Sequence, residues 1–416
     1  MTAQRVEKLR ESLAQEMPEA MALLRRMVEI NSFTRNVVGV NALGELTAEA
    51  FAPLGFRAEY VDCESGPYGR HLVLVRPGTS GRMIGMVGHL DTVFTAEEEL
   101  KNAFYWREEA HDGLTRIYGP GTVDIKGGTI VMYMMLTVLQ QHMPEVFEKV
   151  TWMILLNAAE EEFVPDFHDL CRERLIRDKT LACLVFEGGR MSGREFQAVV
   201  ARKGMARYKI HVTGRGAHAG AAHQMGASAL VQMAEVVQRV ADLTDYDRDL
   251  TFNVGVMQSG TVVNRVPHQA DAEVEFRTFE PDVFTEAMIS MQSLDRYSTV
   301  KSPQDGFACQ TRVQKTQQFS PWPRNNGTDR LLSCWQAAAD EMGYVVRPEA
   351  RGGLSDGNAL WAHVPTLDGM GPAGGNGHCS ERSPDGSKDQ EYAVKDSFVP
   401  KALLNVLGIL YLLEEL

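Results

Sequence analysis

VVARKGMARYKIHVTG, residues 199–214, alternates apolar and polar side chains in the manner of half-exposed strands. Working outward from it, the chain reads as helix over 226–241, strand over 250–257, strand over 272–279, helix over 281–292 and a last strand near 307–313. That order, β-α-β-β-α-β, predicts a ferredoxin-like α+β unit. Upstream the pattern differs. Residues 4–29 and 41–51 read as amphipathic helices and 127–140 as a further helix. HLVLV (71–75), MIGMVG (83–88), VTWMILLN (150–157) and ACLVFE (182–187) read as buried strands. The same alternation returns after about 327, with helix 328–342, strand 343–347, helix 355–362 and a last helix over 393–414. The expectation is an α/β domain made of 1–197 and 318–416, its mixed sheet covered by helices on both faces. Residues 198–317 interrupt it as an insert large enough for its own core.

Composition narrows the classes. The 416 residues are 44% hydrophobic and 23% charged, with a net charge of −13. These values exclude disorder, collagen and coiled coil as whole-chain descriptions and disfavour general nucleic-acid binding. The six cysteines stand singly, with no CxxC, as reduced thiols in a cytoplasmic protein do. The N-terminal residues are charged and amphipathic rather than a secretory leader. The apolar run 402–413 is too short to span a bilayer and reads as a packed terminal helix, so no membrane partner is expected.

Five places carry chemistry-bearing side chains, four of them at or just after a strand end, where ligands of open α/β sheets collect. In GHLDT (88–92), His89 is followed two residues later by Asp91, which suits a metal-bound imidazole with a carboxylate on its other nitrogen, or simply a polar surface loop. In GPGTVDIKGG (119–128), Asp124 sits among glycines at a helix start, as an N-cap or as a carboxylate able to bridge two metals. NAAEEE (157–162) ends an apolar strand in three acids. It is a solvated loop unless a cation compensates Glu160 and Glu161. Glu187, in LVFEGG, ends another strand and is an edge acid or a ligand. GGNGHCSE (374–381) presents His378 from a glycine-rich loop.

Taken together, His, Asp, Glu, Glu and His form an inventory for a two-zinc site of nitrogen and oxygen donors. One bridging Asp gives each metal one His and one Glu, and Glu160 is left free as a general base. Three carboxylates and a bound hydroxide bring two Zn²⁺ near neutrality.

In this order, GHLDTV, GTVDIKGG, NAAEEE, LVFEGG and GGNGHCSE resemble the motifs of the di-zinc aminoacylase/carboxypeptidase family, over nearly the whole chain. TGRGAHAG (213–220), GTVVNRVP (260–267) and Arg277 are similar to further family segments, and TLDGMGPAGGNGH (366–378) leans toward the glutamate carboxypeptidase branch. The resemblance implies two Zn²⁺ per chain, with Co²⁺ or Mn²⁺ as substitutes. His89 and Glu187 bind one ion, Glu161 and His378 the other, and Asp124 bridges. It implies that Asp91 orients His89, and that Glu160 takes a proton from the attacking water and delivers it to the leaving amine. His218, from the second subunit of a homodimer, stabilises the oxyanion, and Asn264 and Arg277 contact the substrate carboxylate. It further implies that the insert is a dimerisation (lid) domain and that the Asp124–Ile125 peptide bond is cis. The expected reaction is cleavage of a peptide or amide bond next to a free carboxylate in a small peptide. The alternative is an N-acyl-amino-acid deacylase of the acetylornithine deacetylase or succinyl-diaminopimelate desuccinylase type.

Against the resemblance stand Ala159, where the family often has Asp; Glu162-Phe163-Val164-Pro165, where a Gly-Ser turn is common; and His223, where Pro is common. Arg277 has a second reading as an ion pair with Glu275 on the same strand face. A non-catalytic metal-binding protein and a cysteine hydrolase using Cys379 are competing classes. Arg202 and Lys203 read as solvated charges, and Ser355-Asp356-Gly357 as a helix N-cap turn that is also able to bind a carboxylate.

Overall fold

The computed structural model describes residues 3–414. The chain divides into two compact units: residues 1–200, 324–350 and 355–416 form the first, and 201–323 with 351–354 the second.

The first unit is built on a nine-stranded mixed sheet. Its strands run in the order Arg57–Val61, His71–Arg76, Thr151–Asn157, Met83–His89, Thr180–Val185, Thr366–Asp368, Glu195–Arg202, Val345–Arg351, and Arg190–Ser192 flanks the second-last. Successive side chains of a strand leave opposite faces, and here both faces are apolar. Leu72, Ile84, Ile154 and Leu184 point into a core covered by helices Ala3–Val28, Lys126–His142, Asn326–Met342 and Phe398–Glu414. Val73, Val87, Leu155 and Val185 point into a second core, under helix Pro165–Arg174. That two-sided burial is why these strands read as continuous apolar runs. The helix Phe398–Glu414 is apolar nearly all round because the first core encloses it. It begins five residues later than the periodicity suggests, since Tyr392–Val394 is drawn into a small sheet with Leu114–Tyr118, Arg107–His111 and Gly374–Gly375.

The second unit is a four-stranded antiparallel sheet in the order Thr251–Ser259, Gln269–Thr278, Gly204–Thr213, Gln310–Phe319, with helices Ala229–Ala241 and Pro281–Ser293. Ala206, Tyr208, Ile210 and Val212 alternate into its core. This is the ferredoxin-like order read from the sequence. The last strand lies later than 307–313, because its pairing with Gly204–Thr213 runs on to Phe319 and Trp322 pairs back to Arg202. Arg202 corrects the sequence reading. It is buried, and its Nη1 donates to the carbonyls of Gly353 and Leu354, both at 3.0 Å. The segment 351–354 returns over it.

Candidate metal centre

Three adjacent parallel strands end on one edge of the large sheet. His89 pairs in register with Asn157, and Val87 with Val185. Glu187 therefore leaves its strand level with His89, and Glu160 and Glu161 turn back three and four residues after Asn157. Neighbouring strands are about 4.8 Å apart, so register alone brings His89, Glu161 and Glu187 side by side. Asp124 arrives on the turn before helix Lys126–His142, and its peptide bond to Ile125 is cis. His378 arrives on the loop following Gly374–Gly375, at φ +67.

The Asp124 carboxylate lies between the two imidazoles. His89 Nε2 is 3.0 Å from Oδ1 and His378 Nε2 is 3.3 Å from Oδ2. Each imidazole also faces a glutamate: His89 Nε2 is 3.7 Å from Glu187 Oε1, and His378 Nε2 is 3.3 Å from Glu161 Oε2. Two donors bound tetrahedrally to one Zn²⁺ stand about 3.4 Å apart, which these spacings match. The tautomer of His89 fits as well. Its Nδ1–H donates to the Asp91 carbonyl oxygen at 3.0 Å, so a neutral ring turns the Nε2 lone pair toward carboxylate oxygens. Those lone pairs repel unless a proton or a metal ion lies between them. The donor set therefore suits a pair of divalent cations.

The titration of the cluster reports the same demand for positive charge. Burial pulls the His89 ring down, yet hydrogen bonds with Asp124 and Asp91 outweigh it and hold the ring well above its usual value. Hydrogen bonds to Asp124 and Glu161 push His378 up to about 11. Burial raises Glu160 well above the usual carboxyl range. The His89 charge opposes this, and the charges of Asp356, Glu161 and Glu187 add to it.

Asp91 does more than orient His89. Its carboxylate accepts the backbone N–H groups of Glu160 (3.0 Å) and Glu161 (3.2 Å) and the Thr34 hydroxyl (2.7 Å). His71 steadies the same turn. Its Nδ1 accepts the Ala158 N–H at 3.1 Å, which leaves the proton on Nε2 for Asp166, 3.1 Å away. Asp356 does precede a helix, Gly357–Leu360, but its side chain makes no cap there. It accepts instead from Asn157 Nδ2 at 3.1 Å and pairs with His168 Nε2 at 2.9 Å. Sequence reading missed Thr34, His71 and Asp166, although a His opening the buried run HLVLV was a signal. Of the departures, Ala159 is buried, Glu162 pairs with Arg35 (2.9 Å), Phe163 takes φ +56, and Pro165 opens a helix.

His218, Asn264 and Arg277 belong to the second unit. His218 and Asn264 are exposed. The His218 Nδ1 accepts N–H groups from Gly220 (3.2 Å) and Ala221 (3.1 Å), so its proton sits on Nε2, facing outward as a donor. His223 is exposed in a short 3-10 turn. Arg277 makes the ion pair with Glu275 (2.6 Å) and donates Nη1 to the Gly352 carbonyl at 3.0 Å.

Comparison with known proteins agrees with this architecture. Residues 200–294 match the family described as the peptidase dimerisation domain. Carboxypeptidase G2 of Pseudomonas sp. (strain RS-16) is 26% identical over 361 residues, covering 86% of this chain and 83% of that protein. Among solved structures, aminopeptidase PepT from Bacillus cereus has a TM-score of 0.73 at 20% identity, over 97% of this chain and 99% of that one. Sso-CP2 from Sulfolobus solfataricus, an M20 family metallo-carboxypeptidase, has a TM-score of 0.70 at 14% identity, over 96% and 100%. The ordered motifs, the interrupted α/β fold and the matched insert make this chain similar to the M20 metallopeptidases, and give it a peptidase dimerisation domain over residues 200–294.

Proposed function

We propose that this chain is a di-zinc exopeptidase of the glutamate carboxypeptidase kind, cutting a peptide bond next to a free carboxylate. The observation that carries the reading is Asp124, one oxygen toward each imidazole, with a glutamate beside each ring. His89, Asp124 and Glu187 would hold one ion, and His378, Asp124 and Glu161 the other. When bound, zinc polarises the scissile carbonyl and lowers the pKa of water toward about 7. Glu160 takes the proton of the attacking water and passes it to the leaving amine, a task that its raised carboxyl pKa suits. His218 offers its Nε2–H to the carbonyl oxygen as charge gathers there. Arg277 and Asn264 hold the substrate carboxylate. The Arg277 Nε and Nη1 are engaged, which leaves Nη2 for a substrate oxygen.

The reading includes a homodimer formed through the insert. Its edge strand Thr251–Ser259 exposes Val256 and Met257, and helix Ala229–Ala241 exposes Leu230 and Val231. Edges and apolar patches of this kind favour pairing with a second copy.

The test is a hydrolysis screen of stripped and zinc-reloaded protein against dipeptides, their C-terminal amides and N-acyl amino acids. Activity should vanish on chelation, return with Zn²⁺ or Co²⁺, and prefer the acid to the amide. Arg277→Ala should erase most of that preference, at a cost of roughly ten- to a hundredfold in kcat/KM. Equal cleavage of acid and amide by the wild type would overturn carboxylate anchoring, and preferential cleavage of N-acyl amino acids would make the enzyme a deacylase.

A further inference from the structure

Glu391 is a fully buried acid with no part in the chemistry above. Its Oε1 accepts two backbone N–H groups, from Val123 at 3.0 Å and Asp124 at 3.2 Å. Its own N–H donates to the Cys379 carbonyl at 2.7 Å. One residue thus grips both the turn that carries Asp124 and the loop that carries His378. The small sheet delivers it there, because Tyr392 pairs with Tyr118 and Ala393 with Ile117, just ahead of the Asp124 turn. Gln390 reinforces the loop, with Nε2 donating to the carbonyls of Ser380 (2.7 Å) and Asn102 (2.9 Å).

The two imidazoles of the centre are held in different ways. His89 ends a central strand, is buried, and has its Nδ1 fixed by the Asp91 carbonyl. His378 has a side chain 55% exposed and a left-handed backbone, so packing does little to aim its ring. Its ring faces Asp124 and Glu161, so the placing of the Asp124 carboxylate matters to both imidazoles. We infer that Glu391 is a positioning residue whose side chain sets metal affinity by holding the turn of Asp124, the carboxylate shared by both sides of the centre. The inference rests on the metal ligation proposed above.

Glu391→Ala removes the acceptor for both N–H groups. Glu391→Gln keeps it, since the amide oxygen takes the place of Oε1. The experiment titrates stripped full-length protein with Zn²⁺ against a chromophoric chelator, and with Co²⁺ followed by its visible spectrum. Circular dichroism checks the fold of each variant. Wild type should take up two ions, and His378→Ala identifies the step that belongs to its side. Glu391→Ala should weaken both steps by about tenfold to a hundredfold, as loss of an outer support to the shared carboxylate does. Glu391→Gln should restore both. If Glu391→Ala does not fold, Glu391→Asp replaces it: the carboxyl group stays, but the shorter side chain cannot reach both N–H groups, and both steps should weaken. Unchanged affinity in a folded Ala or Asp variant, weakening confined to one step, or a Gln variant as poor as the Ala or Asp variant would overturn the inference. A wild type that binds no divalent ion would instead overturn the ligation reading.

Discussion

Glu160 and Glu161 are chain neighbours with the same side chain, yet the fold gives them different surroundings. Asp91 holds both backbone N–H groups, and the short 3-10 turn then sends Glu161 toward His378 and leaves Glu160 buried, within reach of the His89 charge. Burial raises both carboxyls, but His378 works against the rise at Glu161. Glu160→Gln should therefore lose roughly 10²–10⁴-fold in kcat while keeping metal, and Glu161→Gln should lose metal. Metal analysis beside steady-state kinetics checks the division of roles, and an equal fall of metal in both variants would count against it. Sequence placed three acids after a strand. Which of them faces a ligand depends on the turn.

The elements around the site show which local forces win. Gly408 lies inside helix Phe398–Glu414, and a Cβ there would stand 2.6 Å from the Trp335 ring. The ring cannot easily yield, because its Nε1–H donates to Asn405 Oδ1 at 2.9 Å. Helix propensity alone favours Gly408→Ala by up to about 1 kcal/mol, while overpacking costs about 1–3 kcal/mol. The clash should prevail, so the variant should melt below wild type, and a rise in melting temperature would show that the ring shifts freely. A second contact pins the His378 loop to the hairpin. Arg382 reaches both oxygens of Glu109, at 2.8 and 2.9 Å. Hydrogen bonds from Arg382, assisted by Arg107 and opposed by burial, pull the Glu109 carboxyl from the usual 4.5 down to about 2. A depressed folded pKa stabilises above the unfolded value and stops doing so as pH falls through the folded one. The melting-temperature gap between wild type and Glu109→Gln should thus be full above pH 4.5 and close as pH falls toward 2. A gap constant over that window would show that the pair adds no pH-linked stability.

For the whole molecule, the question is whether a residue of the insert takes part in hydrolysis. His218 lies in the second unit, the metal cluster in the first, and the matched dimerisation domain spans 200–294. If His218 acts across a dimer, a His218→Ala chain mixed with a Glu160→Gln chain forms one hybrid site with both residues intact. Refolded mixtures should then recover activity that neither parent has, in proportion to the heterodimer fraction. No recovery in heterodimers verified by native mass spectrometry would assign His218 to its own chain's site or to none.

By itself the sequence determined the classes of element and their order. Runs such as MIGMVG and VTWMILLN announced strands buried on both faces, and the alternation of 204–213 announced a sheet with one face on a core. It also supplied the donor types, since His89, Glu161 and Glu187 follow strand ends whatever the pairing. Only the tertiary structure decided which strands are neighbours, and hence that those donors stand level, because side-chain period tells a strand its face and not its partner. The same holds for Asp124 and His378, brought together by a small sheet that leaves almost no periodic signal. Glu391 reads in sequence as one more acid in a polar loop, KDQEY. Its role arises from burial and from two N–H groups far away along the chain, contacts that no local pattern encodes.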